Sequence, residues 1–100
     1  MKVHEFLTEA TWCRGAFARN KAGDPVHADD ASACSWCILG AIFKVYGTEV
    51  HKSKGSWPSI ERLDALVKTM PGNHATVAGW QDDPDITWED VHNLLVTQNV

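Results

Sequence analysis

Three cysteines carry the strongest chemical potential in this sequence: Cys13, and the pair Cys34 and Cys37 spaced as C-x-x-C. Thiolates at that spacing can ligate zinc, and Cys13 with His27 would complete a tetrahedral set. Structural zinc sites, however, usually carry the C-x-x-C on a turn, and no second pair of ligands has matching spacing here. A redox pair needs its thiols at the opening of a helix, where the macrodipole lowers the thiol pKa. These two fall about one turn or more inside a predicted helix, with no βαβ pattern around them. A cysteine nucleophile needs an adjacent base and a third group to orient it. None of the five histidines (His4, His27, His51, His74, His92) is placed beside a thiol by the sequence. Free cysteine is otherwise one of the most buried residue types and acts as a small hydrophobe, which is the reading adopted for both helix thiols.

The remaining polar residues suggest turns and pins more than catalysis. Asp82, Asp83 and Asp85 lack the alternating ligands and glycine of a calcium loop; turn and cap roles suit them better. The stretch HKSKGS lacks a phosphate-cradling signature. Arg19 stands in a segment of small residues. Its fork could pair with Asp82 and pin that segment to the helices, or grip an anionic ligand. Five tryptophans in so short a chain cannot all be central. Trp57 and Trp88 are the expected rim residues and interface anchors.

The elements that position these residues are read from periodicity. Val3, Phe6, Leu7 and Ala10 recur at i, i+3, i+4, i+7, predicting a short amphipathic helix ended near Gly15. Apolar and polar residues alternate from Ala16 to Arg19, and Asn20, Gly23, Asp24 and Pro25 form turns, which predicts a small hairpin or an Ω-type loop over residues 15–28. A second helix is expected from a cap at Asp29 or Asp30 to about Tyr46, stopped by Gly47. It is apolar around most of its circumference and therefore central. Residues 47–56 read as a polar surface loop. A third helix follows, with Pro58 in its first turn, Ser56 or Ser59 as its cap, and Ile60, Leu63, Val67 and Met70 inward. A connector buries Val77 and Trp80. Thr87 with Asp90 then resembles a capping box opening a fourth helix that turns Trp88, Val91, Leu94 and Leu95 inward.

The totals bound the rest. One hundred residues, 44% hydrophobic and 22% charged, predict one globular domain over 1–100. A net charge of −4 disfavours a phosphate backbone as partner. The odd cysteine count, the charged start MKVHEFLTEA and the lack of a membrane-length apolar run fit a cytoplasmic setting without membrane contact.

The segments TWCRGAFARNKAGDPV, WCILGAI and GWQDDPDITWEDV together resemble a family of small bacterial and phage proteins known only as a domain of unknown function. The matching positions are Trp12, Gly15, Ala16, Ala18, Arg19, Gly23, Trp36, Cys37, Gly40, Ala41, Trp80, Asp82, Thr87 and Val91. Cys13 stands where a hydroxyl residue is usual in that pattern, Gln81 where asparagine is usual, and Cys34 also departs from it. The resemblance implies a bacterial, phage or mobile-element setting and no established activity.

The expectation is thus a mainly α, compact four-helix domain with a short hairpin or extended insertion after the first helix. It would act without cofactor as a small non-enzymatic protein-binding or regulatory protein, with inhibition of a host or phage system as one outcome. The alternatives are a zinc-stabilised module on Cys13, Cys34, Cys37 and His27, and a small enzyme or small-molecule binder around Cys37, Arg19 and Asp82.

Overall fold

Asp30 caps no helix. In the computed structural model, which describes residues 1–47 and 57–100, its carboxylate accepts the Ser32 N–H at 2.8 Å and the Ser32 hydroxyl at 2.6 Å. This is an Asx turn, the local alternative that short polar side chains offer to helix. Those two hydrogen bonds, hydroxyl first, hold the Asp30 carboxyl below the usual carboxylate range. The turn releases the chain as a strand. The elements in order are α1 (Val3–Phe6), a 3-10 turn (Glu9–Thr11), β1 (Ala18–Asn20), β2 (Pro25–Val26) and β3 (Ala33–Trp36). There follow α2 (Ile38–Tyr46), α3 (Trp57–Val67), α4 (Val77–Asp82) and α5 (Trp88–Thr97).

The described residues therefore form five helices and a three-stranded antiparallel sheet of order β2-β1-β3. The expected mainly α, four-helix architecture is overturned: the fold is mixed α/β. Two local choices account for the difference. Ala33-Cys34-Ser35-Trp36 fits either period, and β1 offers it a ladder: Ala18 pairs with Trp36 and Arg19 with Ser35. The connector expected around Val77 and Trp80 contains α4, capped by the Thr76 hydroxyl, which accepts the Gly79 N–H at 3.1 Å. The first predicted helix is also broken. Thr8 is extended and exchanges hydrogen bonds with Thr11, so α1 ends at Phe6 and a 3-10 turn follows.

The hairpin turn between β1 and β2 is held by Asn20, whose side-chain oxygen accepts the N–H groups of Ala22 and Asp24, both at 3.0 Å. Gly23 takes a left-handed φ of 87° there, a conformation that side chains with a Cβ disfavour. β2 is a two-residue edge strand that opens on Pro25. Along the free side of β3, Trp12 forms an isolated parallel bridge with Trp36, and the Cys13 N–H donates to the Trp36 carbonyl at 3.0 Å.

Cys37 ends the extended run and begins α2. Its sulfur accepts the Gly40 N–H at 3.3 Å, a side-chain N-cap made by a thiol. α2 packs against α1, α3, α4 and β3, and Gly47 closes it with an N–H to the Phe43 carbonyl at 2.9 Å. The polar stretch read as a surface loop lies outside the described residues from position 48 to 56, and with it the proposed cap Ser56 and His51. Ile38, Ala41 and Ile42 meet Val3 and Leu7 of the first segment, Ile60, Leu63 and Val67 of α3, Val77 and Trp80 of α4, and Val91 and Leu95 of α5 in one apolar core. Val100 joins it, and its carbonyl accepts the Val3 N–H at 2.7 Å.

Candidate functional site

Residues 13–17 must cross from the 3-10 turn to β1 over the end of α4, and a buried amide decides how. Gln81 is 1% exposed, so each of its polar atoms needs a partner. Its Oε1 accepts the Trp12 indole N–H at 2.7 Å and the Ile38 N–H at 3.3 Å. Its Nε2 donates to the Asp82 carboxylate, which also accepts the Gly15 N–H at 3.1 Å. Arg14 completes the strap: its Nε donates to the Gln81 carbonyl at 3.1 Å, its Nη2 donates to the Ile86 carbonyl, and its guanidinium lies 4.6 Å over the Trp12 ring. One buried residue thus ties the crossing segment, the start of α2 and the end of α4 together.

Beside this knot is an open recess of about 260 Å³, lined by Gly15, Ala16 and Phe17 on one side and Cys37, Ala78, Gln81 and Asp82 on the other. Burial pushes the Cys37 thiol up to about 11, against the opposing pull of the Gly40 N–H. It remains protonated at neutral pH, where a nucleophile would need thiolate. In the reduced protein its sulfur caps a helix.

Phe17 is 51% exposed, yet its backbone carbonyl is held on two sides. The Phe17 carbonyl accepts the Cys37 N–H at 3.1 Å. It also lies against Gly40 so closely that a Cβ there would sit 1.8 Å from the oxygen. The ring makes an edge contact with Phe43 (centroids 5.8 Å apart), and Phe43 makes another with Trp57 at 6.3 Å. A separate aromatic group joins Trp12 to Trp88 at 6.0 Å and Trp88 to His92 at 5.4 Å.

The family follows from these segments taken together: a sequence model matches residues 1–97, from α1 to the end of α5. The chain belongs to DUF6197, a family of unknown function. Neither the curated proteins nor the solved structures compared with it contain a match. Among the described residues of this DUF6197 member, no helix is long and apolar enough to cross a membrane.

The residues singled out by sequence fall in different places. Arg19 and Asp82 take separate partners. Arg19 donates to the Arg14 carbonyl at 3.1 Å and the Gly23 carbonyl at 2.9 Å, clamping the hairpin to the crossing segment, whereas Asp82 holds Gly15. Trp57 and Trp88, both half-buried, belong to the two different aromatic groups. The thiols are divided: Cys37 is buried, Cys13 half-buried, and Cys34 is exposed on β3, contrary to the reading that put it on a buried helical stripe. His27 is exposed after β2, near Asp30. Among the described residues no three His, Cys, Asp or Glu side chains are grouped to hold a metal ion. Neither Gln81 nor Phe17 is among the site residues suggested by sequence. Gln81 is noted there only as standing where asparagine is usual, in a stretch read as a connector, and its burial gives it its role; Phe17 has one signal, a lone large apolar residue between small ones in Gly15–Arg19.

Proposed function

We propose that this chain is a non-enzymatic binding module that docks a partner protein through the row Phe17, Phe43 and Trp57. The observation that carries the reading is Phe17: a half-exposed aromatic residue whose backbone carbonyl is hydrogen-bonded to Cys37 and packed against Gly40. Hot spots favour aromatic anchors, and an anchor already held in place loses little conformational freedom on binding. The adjoining 260 Å³ recess gives an apolar side chain of the partner somewhere to go. An enzyme centred on Cys37 has no support from a thiol that stays protonated and caps a helix. A regulatory or inhibitory role in the cytoplasm, for a protein encoded by a phage or mobile element, is the biological setting this reading carries.

The test is site-specific photo-crosslinking in the native host with benzoylphenylalanine at position 17, paired with a Phe17→Asp variant. A single protein crosslinked through position 17, whose binding is lost in Phe17→Asp at unchanged thermal stability, is the expected result. Undiminished binding of that protein by folded Phe17→Asp refutes the anchor.

A further inference from the structure

Cys13 and Cys37 each stand one residue past a bridged pair of tryptophans. Trp12 and Trp36 form an isolated parallel bridge. The Cys13 N–H donates to the Trp36 carbonyl at 3.0 Å, while on the far side the Cys37 N–H reaches the Phe17 carbonyl at 3.1 Å. Cys37 is still extended, with φ −77° and ψ 177°. Paired strands run about 4.8 Å apart, inside the Cα separation of roughly 4.4–6.8 Å that a disulfide accepts. Side chains alternate faces along an extended chain, so where Trp12 and Trp36 share one face, the next residues share the other. The C-x-x-C pair lacks this relationship. Cys34 and Cys37 stand three residues apart in one extended run, so they point to opposite faces with Cα atoms about 10 Å apart.

We propose that Cys13 and Cys37 close a reversible disulfide, a redox clamp between the crossing segment and the start of α2. Cys13 is the half-buried, approachable member and Cys37 the buried one. The oxidant is a low-molecular-weight disulfide. The Cys13 thiolate attacks one of its sulfurs and expels one thiolate, leaving a mixed disulfide. Cys37 then loses its proton and attacks the Cys13 sulfur, expelling the second thiolate. Two protein S–H bonds are lost, one protein S–S bond forms, and the oxidant leaves as two thiols. A negative charge on Cys13 adds to the rise in the Cys37 pKa, so capping Cys13 as the mixed disulfide removes a brake on the second step.

The test uses the full chain carrying Cys34→Ser, a change at an exposed thiol that removes the competing partner. The folded protein is incubated with excess oxidised glutathione, then analysed by intact mass and by peptide mapping without reductant. The expected product is monomeric, lighter by two hydrogens, with peptides joined through Cys13 and Cys37. It should return to two free thiols with dithiothreitol and show a raised unfolding midpoint by circular dichroism. A stable glutathione adduct on Cys13 with Cys37 still free, a Cys13–Cys13 dimer, an unchanged mass, or a crosslink that forms only as the fold is lost would each overturn the proposal.

Discussion

The indole N–H of Trp12 and the amide oxygen of Gln81, 69 positions apart in sequence, are joined by a 2.7 Å hydrogen bond. The same oxygen takes the backbone N–H of Ile38 at 3.3 Å. Replacing Gln81 by leucine keeps the bulk but strips both donors of their acceptor. Each orphaned buried donor costs about 1–3 kcal/mol, so Gln81→Leu should lower the stability by about 2–6 kcal/mol in urea titration. A loss below about 1 kcal/mol would show that water replaces the amide at no cost.

Gly40 and Gly79 both lie inside helices and should respond in opposite senses. A Cβ at Gly40 would meet the Phe17 carbonyl at 1.8 Å, and a backbone atom cannot swing aside. Gly40→Ala should cost about 3 kcal/mol or more, the upper end of what overpacking produces. A Cβ at Gly79 would meet only the Thr76 hydroxyl, at 3.4 Å. There the gain in helix propensity prevails, and Gly79→Ala should stabilise by up to about 1 kcal/mol. Thermal melts of the two variants, run side by side, check the pair.

Cys37 links stability to alkaline pH. Its folded thiol titrates near 11, against an ordinary 9.0, because burial disfavours the thiolate. Between these values the folded chain holds a proton that the unfolded chain has released, so stability falls as pH rises. The contribution is fully present below pH 9 and lost by about pH 11, amounting to about 2–3 kcal/mol. Cys37→Ser keeps a capping oxygen and lacks this titration. The difference in unfolding free energy between wild type and Cys37→Ser should therefore shrink across that window. A constant difference would mean that the thiol is solvated in the folded state.

Thr87 opens α5 with a reciprocal pair of hydrogen bonds: its hydroxyl accepts the Asp90 N–H at 3.3 Å, and the Asp90 carboxylate accepts the Thr87 N–H at 3.0 Å. Thr87→Ala should cost about 1 kcal/mol, read as a shift of the urea midpoint with an unchanged slope. A null effect would imply that packing of Val91, Leu94 and Leu95 alone starts the helix.

That capping box was legible because a threonine and an acidic residue three positions on interact within one turn. The same locality explains why α3, α5, the end of α2 and the buried Val77 and Trp80 could be read from the sequence. What escaped reading depended on distant partners. Ala33–Trp36 is a strand only because β1 lies alongside it, so the apolar stripe of α2 was extended backward through four residues that belong to the sheet. α4 is six residues long, too short for helical periodicity to stand out. The candidate site was the least legible part. Its organiser, Gln81, is distinguished by burial beneath residues some seventy positions away. Arg19 was expected to pair with Asp82 or another carboxylate, or to grip an anion; its hydrogen-bond partners are the carbonyls of Arg14 and Gly23, and Asp82 holds Gly15.

The brevity of β2 decides how this molecule can join another. An outer strand of two residues that begins with an imino acid gives an incoming chain almost no ladder to lengthen. At the opposite border, Trp12 and Cys13 already occupy the hydrogen-bonding groups of Trp36. Strand addition to this sheet is thereby discouraged at both borders, which favours association through side-chain contacts.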